Sequence, residues 1–177
     1  LRRRLEAEKA QLVVEFPYFL ERVAPASGAK AFVDYECKFK GESNGEGFDF
    51  VLGVRVPVTS LCPCSKEISD YGAHNQRGEL EIEVRTSIDD EETPQFVWIE
   101  ELVDLAEGCA SSPVYSLLKR EDERHVTMKA FENPVFVEDM VRNVALRLKK
   151  DGRVAWFRVH ALNHESIHNH NAFAEIE

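Results

Sequence analysis

The sequence predicts an α+β fold, an antiparallel sheet carrying two helices on one face, and three observations lead there. Apolar and polar residues alternate with period two over 29–41, 48–58, 79–88 and again from 154 to the end, the pattern of half-buried strands. Two stretches, 95–109 and 134–152, instead carry apolar residues at helical spacing. After residue 48 the order reads strand, strand, helix, helix, strand, strand, which suits one antiparallel layer with helices segregated to a face.

Taken in order, LRRRLEAEKAQLVVEFPYFLERV is expected to form a helix with Leu1, Leu5, Leu12 and later aromatics on one side, interrupted near Pro17. AKAFVDYECKFKG and FDFVLGVRVPV, joined by the Gly/Ser/Asn-rich residues 41–47, read as a long β-hairpin. Gly78 releases ELEIEVRTSI, with Leu80, Ile82 and Val84 on one face and Glu79, Glu81, Glu83 and Arg85 on a solvated one. QFVWIEELVDLAEGC and PVFVEDMVRNVALRLKKDG follow as helices, the second with Pro134 near its start and Gly152 beyond its end. LLKREDERHVTMKAFEN reads as a polar connection between them, and VAWFRVHALNHESIHNHNAFAEI as strand, polar turn and strand.

The 177 residues, 44% of them apolar, suffice for one good core or two small layered modules. Thirty-two acidic against 22 basic residues give a net charge of −10, which argues against a general nucleic-acid or membrane-surface binder. An anionic ligand would therefore need a local basic pocket or a metal. Cysteines 37, 62, 64 and 109 make no disulfide framework, so a reducing, cytoplasmic setting is the default. No run approaches the ~18 apolar residues of a membrane span, and the charged start does not read as a signal peptide.

Residues 57–78, PVTSLCPCSKEISDYGAHNQRG, hold the densest chemistry. Cys62 and Cys64 flank Pro63, and His74 follows Cys62 by twelve residues, a separation suited to two ligands closed by a loop. A thiolate and an imidazole suit Zn²⁺ or a neighbouring divalent metal. A cysteine packed as a small hydrophobe and a hydrogen-bonded histidine explain the same letters without a metal. For a third ligand the connection offers Glu121, Asp122, Glu123 and His125, although a charge run is also an ordinary solvated surface. Three protein ligands would leave an open position for water, as catalytic sites do. In the tail, HESIHNH gathers His164, Glu165, His168 and His170. On a strand, His168 and His170 would share a face and could donate and accept protons, or simply form a His-rich edge. Glu138, in the first turn of the second helix, is explained by the helix dipole alone.

VTSLCPCSKEISDYGAHNQRG closely resembles the signature of the type IB GTP cyclohydrolases, and SSPVYSLLKREDERHVT, ENPVFVEDMVRNVA and HESIHNH resemble that family's other signatures in the same order. The resemblance covers nearly all of the chain. It implies a tunnelling fold (T-fold), bimodular, with 1–58 the remainder of a first module whose N-terminal part is missing and 59–177 a second module bearing the active-site loops. It implies conversion of GTP and water to 7,8-dihydroneopterin triphosphate and formate, the first step of folate biosynthesis. Carried over, the family motifs place a divalent metal (Zn, Mn or Fe(II)) on Cys62, His74 and Glu123, and Glu165, His168 and His170 in the active site with Cys62 and His74. They place the purine anchor at Glu138; Ser60, Lys66, Arg77 and Lys129 are candidates for the triphosphate. A homo-oligomer is implied, a tetramer, with sites at subunit interfaces. The competing readings are another T-fold enzyme, such as a pterin synthase or a nitrile reductase using NADPH and a reactive cysteine, and a non-enzymatic metal-binding module that chelation would unfold.

Overall fold

The computed structural model describes residues 1–45, 47–87 and 95–177. The elements are α1 (Arg2–Leu5), β1 (Ala10–Val23), β2 (Lys30–Ser43), β3 (Phe48–Leu61), α2 (Pro63–Ile68), β4 (Asn75–Thr86), α3 (Ile99–Glu107), β5 (Ser112–Pro113), α4 (Arg120–Glu132), α5 (Val137–Leu148), β6 (Val154–Asn163) and β7 (Ala172–Ile176). One antiparallel sheet runs β1-β2-β3-β4-β6-β7, with the short β5 paired to β3 through Val58–Pro113 and Thr59–Ser112. The chain is therefore α+β, as predicted. The division anticipated after residue 58 falls inside β3, and the sheet is continuous across it. Glu46 in the predicted turn and Ile88 at the end of a predicted strand lie outside the described residues.

Strand alternation decides which residues meet the helices. Tyr35 and Cys37 of β2, Val54, Val56 and Val58 of β3, Leu80, Ile82 and Val84 of β4, and Val159 and Ala161 of β6 form a single core. Leu102, Val103 and Ala106 of α3 and Met140, Val141, Val144 and Leu148 of α5 complete it. Leu102 and Met140 are fully buried, positions where truncation to Ala costs about 2–5 kcal/mol. The other face of the sheet is a lattice of opposite charges set across neighbouring strands. Lys38 Nζ lies 2.6 Å from Glu83, whose second oxygen is 3.4 Å from Arg158, and Arg158 reaches Glu175 at 2.7 Å.

The predicted N-terminal helix is not there beyond Arg2–Leu5; residues 10–23 form β1, paired with β2 from Ala10–Ser43 to Val23–Lys30. Phe16, Tyr18 and Leu20 pack on the core while Val13, Phe19 and Val23, of opposite parity, stay exposed, so apolar residues occupy both faces and imitate a helical stripe. β-Branched and aromatic side chains favour the strand. Pro17 is tolerated because β1 is an edge strand, where a missing donor breaks no interior ladder.

The predicted polar connection is instead the helix α4. Its charged sequence hides it, since among its described residues only Asp122 and Ala130 are buried. Asp122 is the reason it starts where it does. Its Oδ2 accepts from Lys119 N at 2.9 Å, capping the helix, and from Ser27 Oγ at 2.6 Å. Its Oδ1 accepts from the backbone N–H groups of Ala26 and Ser27, both at 2.8 Å, so the β1–β2 turn is tied to α4. That turn needs Gly28, whose φ of 69° lies in the left-handed region. Burial alone would raise the Asp122 pKa, but the donors from Ser27, Lys119 and Ala26 outweigh it and hold the carboxyl well below the usual range.

Asp122→Ala should lower the melting temperature by several degrees and expose residues 24–29 to proteolysis. Because the folded pKa is depressed, the stability Asp122 contributes is present above its unfolded value of ~3.9 and is lost as pH falls through the folded one. Acid unfolding of Asp122→Ala, followed by circular dichroism, should accordingly lack that portion of the wild-type slope. At Gly78, a Cβ would sit 2.5 Å from Asn163 Oδ1 and 3.2 Å from the Leu162 carbonyl. Gly78→Ala should therefore cost about 1–3 kcal/mol in urea denaturation, as overpacking does, and the same substitution should cost less in an Asn163→Ala background, where the Oδ1 it meets is gone.

Candidate functional site

The site is built where β3 and β4 part. Their ladder ends at Leu61–Asn75, and one step further Cys62 N donates to the His74 carbonyl at 3.1 Å. Twelve residues of sequence are thus closed into adjacent backbone. Cys62 is the N-cap residue of α2, and Pro63 occupies the first turn, where its missing N–H is harmless. Ser65 locks the closure: its Oγ donates to Cys62 O at 3.1 Å and accepts from His74 N at 3.2 Å.

The tail motif reaches the same place through β6. The β4–β6 ladder ends at Gly78–Asn163, and His164 N donates to Arg77 O at 2.9 Å, which sets Glu165 beside Gln76. Gln76 Nε2 donates to Glu165 Oε1 at 2.9 Å, and Gln76 Oε1 lies 2.9 Å from His74 Nδ1. Ser166 Oγ is 3.4 Å from the same ring nitrogen. His74 and Glu165, 91 positions apart in the chain, are thereby joined through one buried amide.

A third piece comes from the link between α4 and α5. Val135 N donates to Leu61 O at 3.1 Å, and Ser60 Oγ donates to Val135 O at 3.0 Å. Asn163 Nδ2 donates to Ser60 Oγ at 3.0 Å, so β3, β6 and the start of α5 share one buried polar node. Glu138, exposed in the first turn of α5, projects from this fixed point. Ser60 is fully buried with its hydroxyl engaged on both sides.

A groove of about 770 Å³ separates residues 69–75 from α4, with Leu61, Lys66, Tyr71, Thr127, Met128 and Phe131 among its walls. Lys66 Nζ donates to Phe131 O at 2.5 Å and stands 4.4 Å above that ring. Glu123 is exposed on α4, one helical turn before Thr127. Lys129 is also exposed on α4. Arg77, by strand alternation opposite to Gln76, lines a separate hollow of about 380 Å³ with Asp34, Arg55 and Tyr115.

His168 and His170 lie in the β6–β7 loop rather than on a strand, because the ladder between those strands spans only Val159–Ile176 to Asn163–Ala172. Their rings are nonetheless neighbours, stacked with centroids 5.1 Å apart. Asp122, offered by sequence as a ligand, has its carboxylate engaged by backbone and Ser27 donors. Among the described residues no three His, Cys, Asp or Glu side chains are grouped closely enough to hold an ion within one chain. What is brought together is a pair, Cys62 and His74, whose backbones meet at the end of the ladder; Glu123 lies on α4 and is not grouped with them among the described residues. Cys37 and Cys109 are excluded as ligands by burial, which pushes the Cys37 thiol up to about 11 and raises that of Cys109. Cys62 is half-buried and Cys64 exposed.

Gln76, Ser65 and Asn163 are the residues that reading the sequence missed. Gln76 sits two positions before Gly78 on the face of Leu80 and Ile82, where a polar side chain in an apolar series signals a buried hydrogen-bond role.

Comparison with known proteins identifies the family. Residues 1–174 match the family described as Type I GTP cyclohydrolase folE2. A GTP cyclohydrolase FolE2 from Geotalea uraniireducens is 56% identical over the full 177 residues, which span 62% of that relative. Those from Geobacter sulfurreducens and Syntrophotalea carbinolica are 56% and 51% identical, again over the whole chain and over 66% and 64% of their own lengths. The chain spans somewhat less than two thirds of the relatives it matches. Matching the family over residues 1–174 and these relatives over all 177, the chain belongs to the type I GTP cyclohydrolase FolE2 family.

Proposed function

We propose that the protein acts as a type IB GTP cyclohydrolase, hydrolysing GTP to 7,8-dihydroneopterin triphosphate and formate at the head of folate synthesis. The observation that carries this reading is the hydrogen-bonded chain from His74 through Gln76 to Glu165, set beside Cys62. It joins a metal-ligand pair to a carboxylate in a chain of the FolE2 family.

The donor set suits a divalent ion of the Zn, Mn or Fe(II) kind, with Cys62 and His74 as two ligands and Glu123 as the third. When bound, the ion supplies a Lewis acid and a water ionising near pH ~7. The chain's own residues then have distinct tasks. Glu138 accepts two N–H groups from the purine edge, as a carboxylate does well. Glu165, held by Gln76, and the paired imidazoles of His168 and His170 move protons as the imidazole ring of the base opens and formate departs. Ser60 is spent inside the fold, which leaves Lys66, Lys129 and, from the separate hollow on the other face of β4, Arg77 as triphosphate candidates. β1 and β7, the end strands of the described sheet, suit pairing with further copies, in keeping with a T-fold homo-oligomer, a tetramer with shared sites.

The test is GTP turnover by the full-length protein, stripped of metal and resupplied with Mn²⁺, Zn²⁺ or Fe²⁺, following formate and the fluorescent oxidised pterin. Metal should restore formate release, and Cys62→Ala should reduce it at least about 100-fold, the upper range for loss of even an outer-shell partner. A folded oligomer giving no formate with any metal would overturn the reading. Thiol titration adds a check independent of turnover. In the metal-free native protein the chromogenic disulfide reagent should react with Cys62 and Cys64 but not with Cys37 or Cys109, which become reactive only on denaturation; bound metal should protect Cys62.

A further inference from the structure

Gln76 is buried on the core-facing side of β4, and its side chain spans the space between His74 and Glu165. Its two polar ends are told apart by chemistry. An ionised carboxylate only accepts hydrogen bonds, so the NH₂ of Gln76 must face Glu165, where Nε2 lies 2.9 Å from Oε1. The carbonyl end then faces His74, and Oε1, 2.9 Å from Nδ1, can only accept. His74 must therefore carry its proton on Nδ1. Ser166 Oγ, at 3.4 Å and exposed, is the weaker partner of that nitrogen and does not reverse the assignment.

We propose that Gln76 is a positioning residue that holds His74 in the Nδ1–H tautomer, keeps the lone pair on Nε2 for a divalent cation, and ties that ligand to Glu165. The inference rests on the preceding reading in one respect, that His74 is a metal ligand. Imidazole ligands are usually oriented by an acceptor on their second nitrogen, often a carboxylate. Here a neutral amide accepts in its place and passes the link on to the carboxylate. His74 is thus oriented without a negative charge against its ring, and Glu165 stays available for proton transfer. Burial makes the arrangement stiff, because turning the amide over would set its carbonyl against a carboxylate and its NH₂ against an N–H.

The tautomer can be read directly. In metal-free protein labelled with ¹⁵N-histidine, at mildly alkaline pH where imidazoles are neutral, long-range ¹⁵N–¹H correlation should show wild-type His74 protonated on Nδ1. Gln76→Leu should lose that preference and bind Zn²⁺ about 10–100-fold more weakly in chelator competition. Gln76→Glu still offers an acceptor to Nδ1 while opposing Glu165, so it should keep the tautomer and lose the link. Wild-type His74 protonated on Nε2, or a Gln76→Leu protein with unchanged tautomer and affinity, would overturn the proposal. His74→Ala separates the two levels. If it binds Zn²⁺ as tightly as wild type, the metal reading fails whatever the tautomer; if it binds weakly and Gln76→Leu does not, the role of Gln76 alone fails.

Discussion

The structure depends most on where the β3–β4 ladder stops. β3 is the central strand, paired with β2 and β4 and capped by β5, and its inward side chains are almost wholly buried. Because antiparallel register is fixed by that buried face, the strand cannot slip by one residue without turning Val54, Val56 and Val58 out of the core. The end of the ladder at Leu61–Asn75 is therefore fixed as well. Cys62 and His74 inherit their adjacency from this, through the hydrogen bond that continues the ladder by one step.

The rest of the site hangs on the same strand end by hydrogen bonds that are costly to break because they are buried. Ser60, Leu61 and Asn163 draw the α4–α5 link and the end of β6 toward β3. Each bond adds only about 0.5–1.5 kcal/mol net, but losing one partner leaves a buried polar group unpaired at a larger cost. This asymmetry favours one arrangement of the three segments over looser ones. Asn163 Oδ1, buried and without a partner among the described residues, is the one place at this node where the constraint is incompletely met.

Charge is used differently on the two sides of the sheet. On the face away from the helices, Lys38, Arg158, Glu83 and Glu175 pair across strands, where partial solvation keeps each pair's contribution modest. Under the helices, Asp122 is buried and satisfied by four donors, so its charge is held by hydrogen bonds rather than by a cation. Another buried group joins α3 to the sheet: Tyr35 Oη donates to Glu107 at 2.7 Å and accepts from Arg22 at 3.0 Å. Burial raises the Glu107 pKa against the lowering effect of Tyr35 and Arg22.

The sequence by itself determined the α+β class, the hairpin, strands β4, β6 and β7, helices α3 and α5, and the Cys62–His74 closure, because period-two and helical patterns are local and so is a twelve-residue loop. It misread residues 10–23, where an edge strand with apolar side chains on both faces looks like a helix, and missed α4, whose charged residues are ordered by one buried aspartate reaching a turn 95 residues away. His168 and His170 were read as sharing one face of a strand; they lie in the β6–β7 loop, where their rings stack. The place of Gln76 in the apolar series of β4 signals burial, but its partner Glu165 became legible only when β4 and β6 were laid side by side. Partners that distant in sequence leave no periodic trace, since burial and hydrogen-bond geometry depend on which strands pair, and only the tertiary structure decides that.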